Sequence, residues 1–105
     1  GGVNYSPFEI DEALTAIPGV KVGLAVGFPN KYYGEEVGAY VVLEEGATLG
    51  PDTILAAMAE RFPFSKRPKV VIFGEHVPVT STGKYQRLQL TPLFADYENE
   101  QFRDH

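Results

Sequence analysis

Two valine-rich segments in the first half of the chain constrain its fold more than any other feature. Residues 20–28 (VKVGLAVGF) and 37–43 (VGAYVVL) alternate and carry many β-branched side chains, a pattern typical of strands. The link between them is polar and contains Pro29, Asn30 and Gly34, residue types that favour turns. The sequence therefore predicts two strands that pair with each other.

Three helices are predicted around this pair of strands. The first follows Ser6, an N-cap candidate, and has Pro7 at its first helical position. The second begins at Pro51 or Asp52, and the third covers residues 85–97. Their apolar faces consist of residues at helical spacing: Phe8, Ile10, Ala13, Leu14 and Ile17, then Ile54, Leu55, Met58 and Phe62, then Leu88, Leu90, Leu93 and Phe94.

A short strand over residues 70–73 completes the predicted elements. This order of helices and strands describes an α+β fold, with about three helices packed on a small mixed sheet. The chain has 105 residues, the length of one domain, and we expect residues 1–105 to form a single domain. The polar tail after residue 98 is expected to fray.

Composition disfavours several classes of function. The formal net charge of −5 at pH 7 opposes binding to the phosphates of nucleic acids. The chain has no cysteine and only two histidines, His76 and His105, so we expect no metal site within it. No apolar run approaches the ~20 residues that cross a bilayer, and the N-terminus lacks a secretory signal, which makes a cytoplasmic location the expectation. Because the chain starts at Gly1 without a methionine, we expect a fragment of a longer protein.

The richest polar segment covers residues 77–87 (VPVTSTGKYQR). Its hydroxyl side chains can bond to nearby backbone groups, and Gly83 permits a positive φ directly before Lys84. A phosphate-binding loop would need a glycine and a serine or threonine at the places where the chain has Pro78 and Tyr85. From these residues alone, a solvated lysine in a polar turn is the simpler interpretation.

Several separate blocks of the chain, in order, resemble one family. Residues 1–11 (GGVNYSPFEID) resemble a GGxNxxPxEIE signature, residues 17–20 (IPGV) an HPGV turn, and residues 33–35 (YGE) an xGE link. Residues 65–68 (SKRP) are similar to a YKxP segment, and residues 78–87 to a P-x-T-x-x-G-K-x-x-R element. The chain thus resembles the C-terminal domain of the superfamily of acyl-CoA synthetases, peptide-synthetase adenylation domains and luciferases, and is most like the acyl-CoA synthetases.

The chain also departs from the pattern of this family. Ile17 stands where a histidine is usual, and Ser65 where an aromatic residue is common. We expect these two changes to alter packing only. Residues 88–94 (LQLTPLF) replace a frequent basic tail, which argues against basic contacts from that tail.

The resemblance implies an ATP-dependent acid–CoA ligase. Such enzymes join a carboxylate to the α-phosphorus of ATP, release pyrophosphate, and then pass the acyl group from AMP to a thiol. Lys84 matches the family's catalytic lysine, and an ammonium there would offset the repulsion between carboxylate and phosphate. The implied cofactors are ATP and CoA, with Mg²⁺ at an N-terminal adenylation domain that is this domain's partner. The domain would rotate between the two steps, and the isolated chain is expected to be inactive.

The second step implies a channel for the thiol of CoA or pantetheine. The resemblance assigns Gly1, Gly2 and Val3 to it, because small residues let the backbone approach a narrow ligand. A simple turn of the chain is the alternative. Two rival functions also remain open: an adenylation domain that loads a carrier protein, and a docking module without catalysis in which Lys84 is dispensable.

Basic residues outside the lysine loop, which is the turn at residues 80–84 that carries Lys84, are candidates for contacts with CoA. Lys66, Arg67 and Lys69 form a dense basic cluster in an acidic chain. The first two are assigned to the phosphates of CoA, with a solvated basic face as the alternative. Arg87 is expected either to contact the same anions or to brace the loop by pairing with a carboxylate.

Overall fold

The two valine-rich segments form an antiparallel hairpin of β1 (Val20–Asn30) and β2 (Gly34–Leu43). The computed structural model describes residues 6–103. Both strands extend further than expected, because the residues assigned to the link belong to the strand ends, and Asn30 pairs with Gly34. β3 (Val70–Phe73) adds to the other side of β2 in parallel, so the strand order is β1-β2-β3. The predicted small mixed sheet is confirmed.

Within residues 6–103, three helices flank the sheet: α1 (Pro7–Thr15), α2 (Pro51–Arg61) and a 3-10 helix (Arg87–Tyr97). α1 begins at Pro7, as predicted, and α2 begins at Pro51, one of the two starts predicted for it. Proline suits this position because the N–H groups of the first turn have no helical partner. Ser6 occupies the N-cap position of α1, but its side chain makes no capping hydrogen bond. The third helix starts two residues later than expected and is not an α-helix. Pro92 in its interior has no N–H to donate to an α-helical carbonyl.

The sheet separates two apolar clusters, because successive side chains of a strand point to opposite faces. α1 and α2 cover one face, and the 3-10 helix covers the other. The first cluster contains Ile10, Ala13, Leu14, Val20, Ala25, Val37, Ala39, Val41, Ile54 and Met58. The second contains Leu24, Val26, Phe28, Tyr40, Val42, Val70, Leu90 and Phe94. Any contact between α1 and the 3-10 helix must therefore pass around the edge strand β1.

Gly38 of β2 allows the 3-10 helix to approach the sheet closely. A Cβ atom at this position would overlap the ring of Phe94, which is fully buried. Of the apolar face predicted for this helix, Leu90 and Phe94 are buried, whereas Leu88 and Leu93 are 85% and 49% exposed. The prediction was wrong for Leu88 and Leu93. A 3-10 helix has three residues per turn, so residues chosen at the 3.6-residue spacing of an α-helix do not all lie on one of its faces.

The turn of the hairpin holds residues 99–103, the described part of the C-terminal tail, so the prediction that the tail frays is wrong for these residues. Asn30 Nδ2 donates to the carbonyl of Tyr97 at 3.1 Å and to that of Glu100 at 2.9 Å. The hydroxyl of Tyr33 donates to the carbonyl of Phe102 at 2.5 Å. None of the helices in the described part of the chain is long and apolar enough to cross a membrane.

Candidate functional site

Lys84 lies at the end of a tight hairpin turn. The backbones of Val79 and Tyr85 pair as an antiparallel bridge. The Gly83 N–H donates to the Thr80 carbonyl at 2.9 Å, and the Thr80 N–H donates to the Lys84 carbonyl at 2.8 Å. Gly83 has a φ of 84°, which confirms the positive φ expected from the sequence. The geometry is that of a short hairpin loop that ends in a glycine bulge.

The backbone of Lys84 is fixed while its side chain is exposed. Its N–H donates to Thr80 Oγ1 at 3.1 Å, and that hydroxyl lies 3.0 Å from Thr82 Oγ1. An ammonium in water interacts weakly with an anion, whereas a surface that covers it and excludes water strengthens the attraction several-fold. The loop therefore presents a positive charge that becomes effective when another surface closes over it.

Arg87 ties this loop to α1. Its Nη1 and Nη2 donate to Asp11 Oδ1 at 2.9 Å and to Asp11 Oδ2 at 2.7 Å, the two-bond match of a guanidinium with a carboxylate. Arg87 Nη1 also donates to the Ala25 carbonyl at 2.6 Å, and the Ala25 N–H donates to Asp11 Oδ1 at 2.7 Å. Of the two roles expected for Arg87, the structure shows the pairing with a carboxylate.

These contacts belong to a set that covers the open edge of β1. An edge strand presents backbone groups that lack a strand partner. On either side of Ala25, Thr15 Oγ1 accepts from the Gly23 N–H at 3.1 Å, and the Thr91 hydroxyl donates to the Gly27 carbonyl at 3.1 Å. Side chains of α1 and of the 3-10 helix thus take the place of a further strand. They also hold the segment after the lysine loop against this edge.

Exposed apolar side chains lie beside the lysine loop. Val79 and Tyr85 at its base are each 51% exposed, and Phe8 of α1 is 72% exposed. Phe8 was expected on the buried face of α1, and that prediction was wrong. Its ring instead lies 5.7 Å from the guanidinium of Arg87. Apolar groups around a charged loop are typical of a surface that another protein surface covers.

The basic segment before β3 is not one continuous patch. Lys66 is exposed, and the guanidinium of Arg67 lies 5.3 Å from the centre of the Phe64 ring. Lys69 points inward and forms an ion pair with Glu36. Burial lowers the pKa of Lys69 below its ordinary value of 10.5, while the hydrogen bond and the charge of Glu36 raise it in part. Lys69 therefore does not contribute to a basic surface.

Gly1, Gly2 and Val3 lie outside the described residues. Within the described part of the chain, no group of three or more His, Cys, Asp or Glu residues is arranged to hold a metal ion.

Asp11 was missed as a partner of Arg87. The available signal was that Asp11 ends the first block that resembles the family signature, residues 1–11. Asp11 and Arg87 are, however, 76 positions apart, and no local pattern connects them.

Comparison with known proteins identifies the family of domains to which the chain is similar. Residues 9–84 match the family described as the AMP-binding enzyme C-terminal domain. The chain is 38% identical over 96 residues to an oxalate–CoA ligase of Arabidopsis thaliana, a match that covers 91% of this chain and 19% of that protein. It is 42% identical over 90 residues to a sulfoacetate–CoA ligase of Cupriavidus necator, covering 86% of this chain and 18% of that protein. The chain thus spans about one fifth of the length of these relatives.

Solved structures share the same fold. The crystal structure of ATP-bound MatB from Rhodopseudomonas palustris matches with a TM-score of 0.83 and 33% identity, over 89% of this chain and 18% of that chain. The amide bond synthetase McbA from Marinactinospora thermotolerans matches with a TM-score of 0.82 and 30% identity, over 87% of this chain and 18% of that chain. The arrangement of three helices on a small mixed sheet is therefore that of a known domain.

Proposed function

The chain belongs to the family of AMP-binding enzyme C-terminal domains, and we propose that it supplies a catalytic lysine, Lys84, to an ATP-dependent acid–CoA ligase. One observation carries this proposal: Lys84 is exposed, and it directly follows a glycine whose conformation fixes the end of a hairpin turn. The names of the relatives, which are CoA ligases, support the class of reaction.

The remaining machinery is proposed to lie in an N-terminal adenylation domain. The relatives are about five times longer than the match to this chain, which supports a further domain in the full-length protein. On this proposal residues 1–105 are one domain, the N-terminal domain binds ATP, the acid and Mg²⁺, and the isolated chain is inactive. The similarity to ATP-bound MatB supports ATP as the nucleotide.

In the first step a carboxylate oxygen attacks the α-phosphorus of ATP, and the bond from that phosphorus to pyrophosphate breaks. Both reactants are anions, so their approach is opposed by charge. When the loop closes over the N-terminal domain, the Lys84 ammonium lies near the carboxylate and the α-phosphate oxygens and offsets the repulsion. Because the ammonium acts through its charge, the step requires no proton transfer from Lys84.

In the second step the thiolate sulfur of CoA attacks the acyl carbon, and the bond to the AMP oxygen breaks. Gly1, Gly2 and Val3 are proposed to line the channel for the thiol arm. Basic side chains are proposed to meet the phosphates of CoA, and these are Lys66, Arg67 and Arg87. Lys66 is exposed, which suits this role, whereas the Arg87 guanidinium already pairs with Asp11.

This proposal differs from its two rivals in the molecule that accepts the acyl group and in the catalytic role of Lys84. The relatives are named as CoA ligases, which supports CoA over a carrier protein as the acceptor. A docking module would need a surface but no particular charge at Lys84. The behaviour of a Lys84 variant in the two half-reactions therefore tests the proposal directly.

The test uses the full-length protein with Lys84 replaced by alanine. Pyrophosphate release with a panel of carboxylic acids is expected to fall by about 10²–10³-fold, the usual effect of removing one preorganised charge. Thioester formation from a supplied acyl-adenylate and CoA is expected to be largely retained. Lys31→Ala, which removes another exposed lysine, serves as the matched control. Equal loss in both half-reactions, or no loss in either, contradicts the assigned role.

A further inference from the structure

We infer that Asp11 is a positioning residue for Lys84, acting through Arg87 during adenylation. The inference rests on the proposed function of Lys84. Asp11 lies on the opposite side of the sheet edge from the 3-10 helix, and it reaches the loop by its bond to Arg87. It does not act on the reactants itself.

The geometry of the pair restricts motion in more than one direction. Two parallel bonds of 2.9 and 2.7 Å join the guanidinium to the carboxylate. Such a pair resists rotation as well as separation, unlike a single point contact. The Ala25 carbonyl accepts a further bond from Arg87, and the Ala25 N–H donates to the same carboxylate. Arg87, Asp11 and Ala25 thus form a closed ring of contacts around one backbone position of the edge strand.

The path from this ring to Lys84 is short and stiff. Arg87 is three residues after Lys84, and between them the Gln86 N–H donates to the Pro78 carbonyl at 2.8 Å. The same segment pairs through Val79 and Tyr85. Because the hairpin is closed internally, it moves as a unit, and the orientation of that unit relative to the sheet is set where Arg87 is anchored.

The pair also joins the two parts of the domain that the proposed reaction uses in turn. Asp11 lies on α1, the helix that follows the residues proposed for the thiol channel, whereas Arg87 follows the lysine loop. A displacement of about 1 Å at a catalytic group can cost ~100-fold in rate. The anchor therefore matters most for the step in which Lys84 must sit between two anions.

A purely structural role for Asp11 is the competing explanation, because the same contacts cover the edge of β1. The two side chains are 17% and 23% exposed for Asp11 and Arg87, so solvent moderates the contribution of their charges to stability. Asp11→Asn separates the roles. It keeps an oxygen that accepts from the Ala25 N–H, but it removes the charge and presents an amide to Arg87.

The experiment uses the full-length protein and measures both half-reactions and the thermal midpoint. Asp11→Asn is expected to lower kcat for pyrophosphate release by ~10- to 100-fold, with little change in KM for ATP and in thioester formation from supplied acyl-adenylate. Asp11→Glu, which retains the carboxylate, is expected to recover most of that rate. Glu12→Gln, a neighbouring exposed carboxylate on α1, is the control and is expected to leave both half-reactions unchanged.

Arg87→Lys adds a coupling test in the adenylation assay. It keeps the charge but loses the two-bond match, so it is expected to lower kcat as Asp11→Asn does. The double variant is expected to be no slower than the slower single variant, because both changes break one interaction. Additive losses in the double variant overturn the inference.

The other outcomes are decisive as well. If Asp11→Asn lowers both half-reactions in proportion to a fall in the thermal midpoint, Asp11 is structural and the inference is wrong. If Asp11→Asn adenylates at the normal rate while Lys84→Ala does not, the inference fails and the proposed function stands. If Lys84→Ala adenylates at the normal rate, the proposed function fails, and a positioning role fails with it.

Discussion

Lys69 Nζ lies 2.9 Å from Glu36 Oε1, and the two side chains are only 4% and 3% exposed. Glu36 Oε1 also accepts from the Val37 N–H at 3.0 Å, and the Lys69 N–H donates to the Val37 carbonyl at 2.8 Å. The pair therefore joins β2 to the segment that enters β3. Removing both charges from water is costly, and their mutual attraction offsets that cost only in part.

Breaking this pair from one side is predicted to be more damaging than removing it. Glu36→Ala leaves a buried ammonium without its carboxylate and should lower the free energy of unfolding by about 3–5 kcal/mol. The double variant Glu36→Leu with Lys69→Met keeps apolar volume and removes both charges, and it should be near neutral or more stable. Urea denaturation of the 105-residue chain measures both. A double variant less stable than Glu36→Ala would refute this prediction.

The contribution of Lys69 to stability is predicted to rise with pH. Burial, and to a smaller extent the charge of Arg67, lower its pKa below 10.5, against the opposing effect of Glu36. Between the lowered folded value and 10.5 the unfolded chain binds more protons, so the free energy of unfolding increases with pH in that window and is unaffected by this group below it. The measurement is the difference in unfolding free energy between the wild type and Lys69→Met from about pH 8 to pH 10.5. If the unfolding free energy of the wild type minus that of Lys69→Met falls as pH rises, the lowered pKa is contradicted.

Asn30 is predicted to hold the C-terminal tail in place. Its Nδ2 donates to the carbonyl of Tyr97, the last residue of the 3-10 helix, and to that of Glu100 in the tail, and its Oδ1 accepts from the N–H groups of Tyr32 and Tyr33 at 2.9 and 3.1 Å. Asn30→Ala should lower the free energy of unfolding by about 1–3 kcal/mol, because buried polar groups lose their partners. Asn30→Asp keeps the acceptor for the turn and loses the donors to the tail.

Amide hydrogen exchange distinguishes the two Asn30 variants. In Asn30→Ala, both the turn and the tail after Tyr97 should exchange faster. In Asn30→Asp, the tail should exchange faster while the amides of Tyr32 and Tyr33 remain protected. Equal protection of the tail in the wild type and in both variants would show that Asn30 does not hold it.

Local patterns in the sequence were sufficient for most of the fold, whereas the choice of Lys84 as the centre of the candidate site came from the resemblance to the acyl-CoA synthetase family. The hairpin follows from β-branched alternation, which is a local property, and the positive φ of Gly83 follows from turn chemistry. The fixed tail could not be predicted in this way. Asn30 bonds to carbonyls 67 and 70 residues away, and neither propensity nor spacing encodes such a pair.

Local patterns carry no information on distant packing partners, which also explains the wrong predictions for Phe8, Leu88 and Lys69. Phe8 and Leu88 are apolar, so helical spacing placed them in the core, but the face that each presents depends on packing partners elsewhere in the chain. Lys69 was read as one of three surface cations because it follows Lys66 and Arg67. Its inward direction depends on Glu36, a carboxylate more than thirty positions earlier.

The conformation of Gly83 is predicted to matter for catalysis as well as for stability. Its φ is 84°, and that of Gly46 is 82°, and a Cβ on either residue would meet no atom within 4 Å. Alanine at either position should therefore carry a similar backbone cost of about 1–2 kcal/mol. Only Gly83→Ala changes the residue before Lys84, so in the full-length protein only this variant should slow pyrophosphate release beyond its loss of stability. Gly83→Asn, which tolerates positive φ better, should recover part of the rate. If Gly46→Ala slows adenylation as much as Gly83→Ala, the effect comes from general destabilisation, and the fixed loop has no special role.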